Sequence, residues 1–424
     1  MFRDAIAFTR KLKAIGDREA AIIGDIYANG LCNLAVCTGS DGMTGLFPAN
    51  DTWFSHTCVI KAGPASCLEG SFTIRNTEIL CDSSMADVRD KLITSRAWCI
   101  EERKLSKCVL YFAKHQVVWD CRTLVAREQD PMRLLNSKDY DFRSQKRDIQ
   151  QGYQKKHNEI CLKYGVNPNI FVIYSEWMLI VEAYTRCNLT RHTDKLVAVS
   201  DLARKIHEAL GPNEAYVGGV WERNLHLHLL WDVTSNRTNF RWKEYRAPTW
   251  SWASVEGDVY NHRTNPEAAF NCISLIRAST EQKPAKADPY GALSSAILHT
   301  EGPLLKVCFG PRATQHIVTT MTTQSGLKFS LYQRFSATLD FNFPDSGPMD
   351  VHCLVVIQEV HEGKPQLAGL VLVRQESVKG QYIRIGLRFV LPIELLREAR
   401  SQRLVDEDDY EYILENGDYM ISII

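Results

Sequence analysis

The texture of the chain changes after Tyr260, from helical to strand spacing, and that change constrains the fold more than any single motif. Asn169 to Tyr184 carries helical spacing with four aromatics. Asp194 to Leu210 follows with a stripe of Leu196, Val199, Leu202, Ile206 and Leu210, stopped by Gly211-Pro212. Beyond Tyr260 the texture changes: His262 to Tyr290 includes polar, loop-like sequence, and Glu281 to Pro289 reads as a linker. From Leu304 onward strands dominate, at Leu304 to Phe309, Ile317 to Thr322, Val351 to Gln358, Leu367 to Val373 and Tyr382 to Val390. A closing hairpin over Tyr410 to Ile424 turns at Asn416-Gly417, and the acidic run Asp406 to Asp409 before it reads as a solvated turn. Such a chain is neither all-helical nor all-β.

The first part mixes both periods. Helices are expected over Phe2 to Leu12, Arg18 to Asn29 and Leu92 to Leu105. Strands are expected over Leu31 to Thr38, Phe54 to Lys61 and Ser71 to Glu78, with a hairpin over Val109 to Phe112 and Gln116 to Trp119. Asp139 to Lys163 interleaves acids and bases and reads as a solvated helix or linker, while Trp221 to Trp231 reads as another helix. The expected organisation is an α/β region over 1–130, a charged linker and helical companion over 131–262, and a β-rich region over 263–424.

Charge and cysteine usage narrow the function classes. The 424 residues contain 50 Lys plus Arg against 50 Asp plus Glu, so no net field draws the chain to nucleic acid or an anionic membrane. No apolar run reaches membrane-spanning length, and the first residues lack the apolar core of a signal peptide. The 13 cysteines are scattered, without a Cys-x-x-Cys pair, which reads as reduced thiols and places the chain in the cytoplasm or nucleus.

On a helix over Leu92 to Leu105, Ser95, Trp98 and Glu102 fall on one face, with Cys99 beside them. A carboxylate next to an indole and a hydroxyl can serve an active site, and can equally be a structural cluster in which Glu102 pairs with Arg96 or Arg103 and Trp98 packs in the core. In Thr249-Trp-Ser-Trp252, alternation on a strand sends Trp250 and Trp252 to one side, as packing surface or as a stacking platform next to Arg246. Cys99 or Cys121 with His115 lacks a protease context and reads as inert thiols. His226 and His228 have no matched third ligand, so no metal site is assigned. No phosphate-binding glycine motif is present, and no cofactor is expected.

Several stretches together resemble fungal heterokaryon incompatibility (HET) domains. Arg18-Glu-Ala-Ala with Gly24-Asp-Ile-Tyr-Ala-Asn29 is similar to the family's "EAARMGDIYANA", and Arg96-Ala-Trp-Cys-Ile-Glu-Glu-Arg103 to its "RGWTLQER". Tyr245-Arg-Ala-Pro-Thr-Trp-Ser-Trp-Ala-Ser254 is close to "YRAPSWSWAS", and Tyr382-Ile-Arg-Ile-Gly386 resembles a late family motif. The family's "YLWIDSLCIIQDD" block has no counterpart between Leu12 and Gly16, and its opening "LSYCWG" strand has none ahead of Phe2, so the resemblance implies an incomplete, TIR-like α/β core. It also implies a role in non-self recognition with programmed cell death as output, through protein partners or self-assembly. Some TIR domains cleave NAD with a helix glutamate, and Ser95, Trp98, Cys99 and Glu102 match that spacing. The resemblance thus offers Glu102 as a catalytic carboxylate with NAD as substrate, or an inactive, degenerate member.

Overall fold

The computed structural model describes residues 17–37, 58–62, 70–74, 95–113, 116–121, 125–128, 168–233, 240–261, 270–282, 288–309, 320–323, 328–330, 338–340, 349–361, 364–392 and 405–424. The expected helix over Phe2 to Leu12, the glycine-rich turn after Thr38, His115 and the charged Asp139 to Lys163 stretch lie outside them. The chain divides into two units, one made of residues 1–172 with 187–189, the other of 173–186 with 190–424.

In the first unit, helix α1 (Asp17–Asn29) leads into strand β1 (Asn33–Val36). The helix ends at Gly30, whose amide donates to the Ile26 carbonyl at 2.9 Å. β1 runs parallel to β2 (Cys108–Phe112), with Asn33 opposite Val109, and β2 pairs antiparallel with β3 (Val117–Cys121), as the expected hairpin requires. A short β4 (Val125–Arg127) completes a four-stranded sheet. Ala35, Cys37, Val109, Tyr111, Ala113 and Val118 form its core, because strand alternation turns these apolar residues to one layer. Two further strands, Cys58–Ala62 and Gly70–Ile74, pair antiparallel close to their expected places.

Helix α2 (Trp98–Leu105) is shorter than the sequence implies. Ser95 to Ala97 form a turn instead: Arg96 bridges Asn188, the Asn188 amide donates to the Ser95 carbonyl at 2.6 Å, and Ala97 donates to the Asn188 carbonyl at 3.1 Å. Backbone groups spent on Asn188 cannot join a helical ladder, so α2 begins only at Trp98. Ser106 closes it, its hydroxyl donating to the Glu102 carbonyl at 2.5 Å.

In the second unit, α3 (Pro168–Thr185, counted from Ile173 within this unit) and α4 (Ser200–Leu210) follow the helical spacing. The start of the expected Asp194 to Leu210 helix breaks into two 3-10 turns, His192–Asp194 and Val197–Val199. Gly211 ends α4 at φ 95°, its amide on the His207 carbonyl. The expected Trp221 to Trp231 helix is mostly not one: Val220–Trp221 is a strand, only Leu225–His228 is α-helical, and Trp231–Val233 is again a strand.

The C-terminal part is a long meander, antiparallel except for one parallel pairing that sets Gln381 and Tyr382 opposite Ser422 and Ile423. β5 (Ser274–Gln282) pairs with β6 (Leu293–Gly302), which continues past Pro303 as β7 (Leu304–Phe309). β8 (Met349–His361), β9 (Lys364–Arg374) and β10 (Gln381–Pro392) follow, and β11 (Tyr419–Ile423) is the last strand. β7 pairs with β8, β8 with β9, β9 with β10, β10 with β11, and β11 with β6. The hydrogen-bonded path therefore returns to the run 293–309 and closes like a barrel. Gly302 marks the bend, where a Cβ would stand 2.9 Å from the Ile273 side chain and 3.2 Å from that of Leu354. The terminal hairpin is as expected, with Gly417 at φ 83° and Ile413 opposite Tyr419.

Two expectations in this part are overturned. Ser274 to Gln282, where no strand was expected, is a nine-residue strand whose polar composition reflects its place at the border of the ladder. The acidic turn is not wholly solvated: Asp409 is buried, its carboxylate 3.0 Å from His352 Nε2 and 3.6 Å from Arg374 Nε.

Candidate functional site

The candidate site in the first unit is built from α1 and α2. Residues Trp98, Cys99 and Glu102 lie on α2 at helical intervals, so Cys99 and Glu102, three apart, are neighbours. Tyr27, on α1, supplies a phenol that the motif in α2 does not reveal. Its hydroxyl donates to the Glu102 carboxylate, and the Cys99 thiol donates to the same group. Trp98 and Glu102 are half-buried, Cys99 is buried, and Ser95 sits in the turn ahead of the helix rather than on its face.

Burial raises the Glu102 pKa above the ordinary carboxylate range, against the Tyr27 hydrogen bond and the attraction of Arg96, which favour the charged form. The Tyr27 phenol is also pushed up, by burial and by the facing carboxylate. Burial and the same carboxylate push the Cys99 thiol up to about 12, so it stays protonated at neutral pH and is not a nucleophile. The next residue along, Glu101, is the more deeply buried acid at 1% exposure. Nothing in the local spelling Ile-Glu-Glu-Arg separates the two; only the orientation of α2 does.

The second unit gathers the tryptophan motif and the late Arg-containing motif. Thr249 to Trp252 is a turn entering a 3-10 helix (Trp252–Ser254), not a strand, so the alternation expected for the two indoles does not apply. Both are buried all the same. The Trp252 Nε1 donates to the Gly219 carbonyl at 2.7 Å, and Trp177 Nε1 donates to that carbonyl at 3.0 Å. Gly219, at φ +103°, has room for nothing larger, since a Cβ would lie 2.8 Å from Trp252 Nε1. Trp231 Nε1 donates to the Trp250 carbonyl at 3.0 Å.

Arg246 is buried and fully occupied. Its Nε donates to the Ala253 carbonyl at 2.7 Å, one Nη to the Val255 carbonyl at 2.7 Å, and the other to Glu256 at 2.8 Å. Lys195 Nζ donates to the same Val255 carbonyl at 2.7 Å; burial, with Arg246 nearby, lowers its pKa to about 7. Arg384, from the motif Tyr382 to Gly386, is wholly buried and lies 3.3 Å over the Trp231 ring. It donates to the carbonyls of Leu229 at 2.7 Å and Trp231 at 2.6 Å and pairs with Asp340 at 3.3 Å. The two motifs meet directly, because the Arg384 amide donates to Thr249 Oγ1 at 3.0 Å.

His226 and His228 lie on the short Leu225–His228 helix. His228 Nδ1 accepts from the Trp221 amide at 3.0 Å, and its other ring nitrogen stands 3.3 Å from Asn224 Nδ2. Burial lowers the pKa of His226 to about 4 and that of His228 to about 3. Among the described residues no group of three or more His, Cys, Asp or Glu is placed to hold a metal ion, and no described helix is long and apolar enough to cross a membrane. Cys32, Cys37, Cys99, Cys108, Cys121, Cys187, Cys272 and Cys353 are free thiols.

No protein-family model, no curated protein and no solved structure matches the chain.

Proposed function

We propose that this chain acts in fungal non-self recognition as a HET-type protein, promoting programmed cell death through contacts with protein partners or further copies of itself. The family part of this reading rests on the motifs of α1, α2 and Tyr245 to Trp252. The observation that carries the molecular part is the engagement of Glu102. Its carboxylate is half-buried and receives hydrogen bonds from Tyr27 and Cys99, which ties α1 to α2. A carboxylate so engaged is a packing element, and Trp98 and Cys99 beside it serve the same end.

A second reading, cleavage of the nicotinamide bond of NAD with Glu102 as the charge-stabilising carboxylate, draws support from one observation. Glu102 is only half-buried, lies next to Trp98, and has a raised pKa of the kind that functional carboxylates show. Purified full-length protein incubated with NAD, with nicotinamide release followed in wild type and Glu102→Ala, separates the two. The interaction reading expects no release from either protein, together with death of cells that overexpress wild type. Release by wild type and loss in a folded Glu102→Ala protein would replace it with the enzyme reading. Inertness in both assays would leave a degenerate family member.

A further inference from the structure

The border of the second unit carries a surface that none of the motifs explains. β5 pairs on one side with β6, and among the described residues no strand lies on its other side. Unpaired strand edges present a row of amides and carbonyls that another strand can complete. Ile276 on this strand is 49% exposed.

The regular part of β5 is short and bounded. The register against β6 is continuous from Arg277 opposite His299 to Glu281 opposite Ser295, and it shifts just before Arg277 and just after Glu281. Five residues, Arg-Ala-Ser-Thr-Glu, are therefore held as an ideal ladder between two irregularities. Within them Arg277, Ser279 and Glu281 share one face, by the two-residue period of a strand. Arg277 and Glu281 are both exposed.

We propose that β5 pairs with β5 of a second copy, antiparallel, about a two-fold axis through Ser279. That register sets Arg277 opposite Glu281 of the other copy, and Glu281 opposite its Arg277, while Ala278 faces Thr280. The charge order along the strand is thus self-complementary in this register. Centring the pair on Ala278 sets Arg277 opposite Ser279 and Glu281 opposite Leu275, and centring it on Thr280 sets Glu281 opposite Ser279; both lose the charge pairs. The contact is the same patch on both copies, so it closes as a dimer, and the flanking irregularities stop the pairing from running on. The inference uses only this edge and holds whatever Glu102 does.

Sedimentation velocity of the full-length protein across a wide concentration range tests it, with circular dichroism confirming the fold of each variant. Wild type is expected to shift from monomer to dimer as concentration rises. Arg277→Glu sets like charges opposite each other twice and weakens the dimer about tenfold. The double variant Arg277→Glu with Glu281→Arg restores the complementary order, and with it dimerisation. A wild type that stays monomeric throughout, or a dimer indifferent to Arg277→Glu, overturns the proposal. So does a double variant that is no better than the single one.

Discussion

The motif residues of the two units hold their buried charges in different ways. In the second, the charged groups of the sequence motifs are given to the main chain: Arg246 to the carbonyls of Ala253 and Val255, Lys195 to Val255, Arg384 to Leu229 and Trp231. In the first, Glu102 is held by two side chains, Tyr27 and Cys99. A cation bound to carbonyls can be released only by refolding the segments that own them. A carboxylate bound by side chains is freed by a rotamer change. The tryptophan motif is therefore a fastening within the second unit, while the Glu102 cluster can rearrange at lower cost.

The contrast breaks most visibly at Arg384. Arg384→Leu leaves the Leu229 and Trp231 carbonyls without this donor and Asp340, among the described residues, with Arg241 at 3.4 Å as its one remaining cation, which should cost about 3–5 kcal/mol in chemical denaturation. Adding Asp340→Leu should return part of that loss. Gly219→Ala comes next: the positive φ and the approach to Trp252 Nε1 should together cost about 2–4 kcal/mol, read as a lowered midpoint.

Lys195 gives the contrast a pH signature. Its folded pKa of about 7 lies below the ordinary 10.5, so the folded protein sheds this proton before the unfolded chain does. Between these two values the unfolded chain binds more protons, and stability should rise with pH. Lys195→Met should flatten that rise in denaturation curves taken across the window; an unchanged slope would mean that Lys195 is not the group responsible. The opposite sign belongs to Glu102. Its raised pKa makes the folded state hold a proton that the unfolded chain loses, so its contribution falls as pH rises above about 4.5. Glu102→Gln should weaken that dependence and leave neutral-pH stability almost intact.

What the chain reveals by reading alone follows from where periodicity dominates. α3, α4, β7 and the Asn416-Gly417 hairpin sit near their expected places because burial on one side enforces a clean repeat. β5 was illegible because an edge strand exposed on both faces needs no apolar alternation. The early start expected for α2 failed because Asn188, more than eighty residues away, takes the backbone groups of Ser95 to Ala97. At the site, the α2 motif names Glu102, Cys99 and Trp98, but Tyr27 is one more aromatic in an amphipathic helix until α1 is packed on α2. The meeting of Thr249 with Arg384 was equally hidden, since it spans 135 positions.

The central claim, that Glu102 is a tether between α1 and α2, is tested most directly by a double-mutant cycle on folding stability with Tyr27→Phe and Glu102→Ala. A hydrogen bond between the two side chains predicts a coupling of about 1 kcal/mol. Effects that add to within about 0.3 kcal/mol, together with nicotinamide release that disappears in Glu102→Ala, would contradict it.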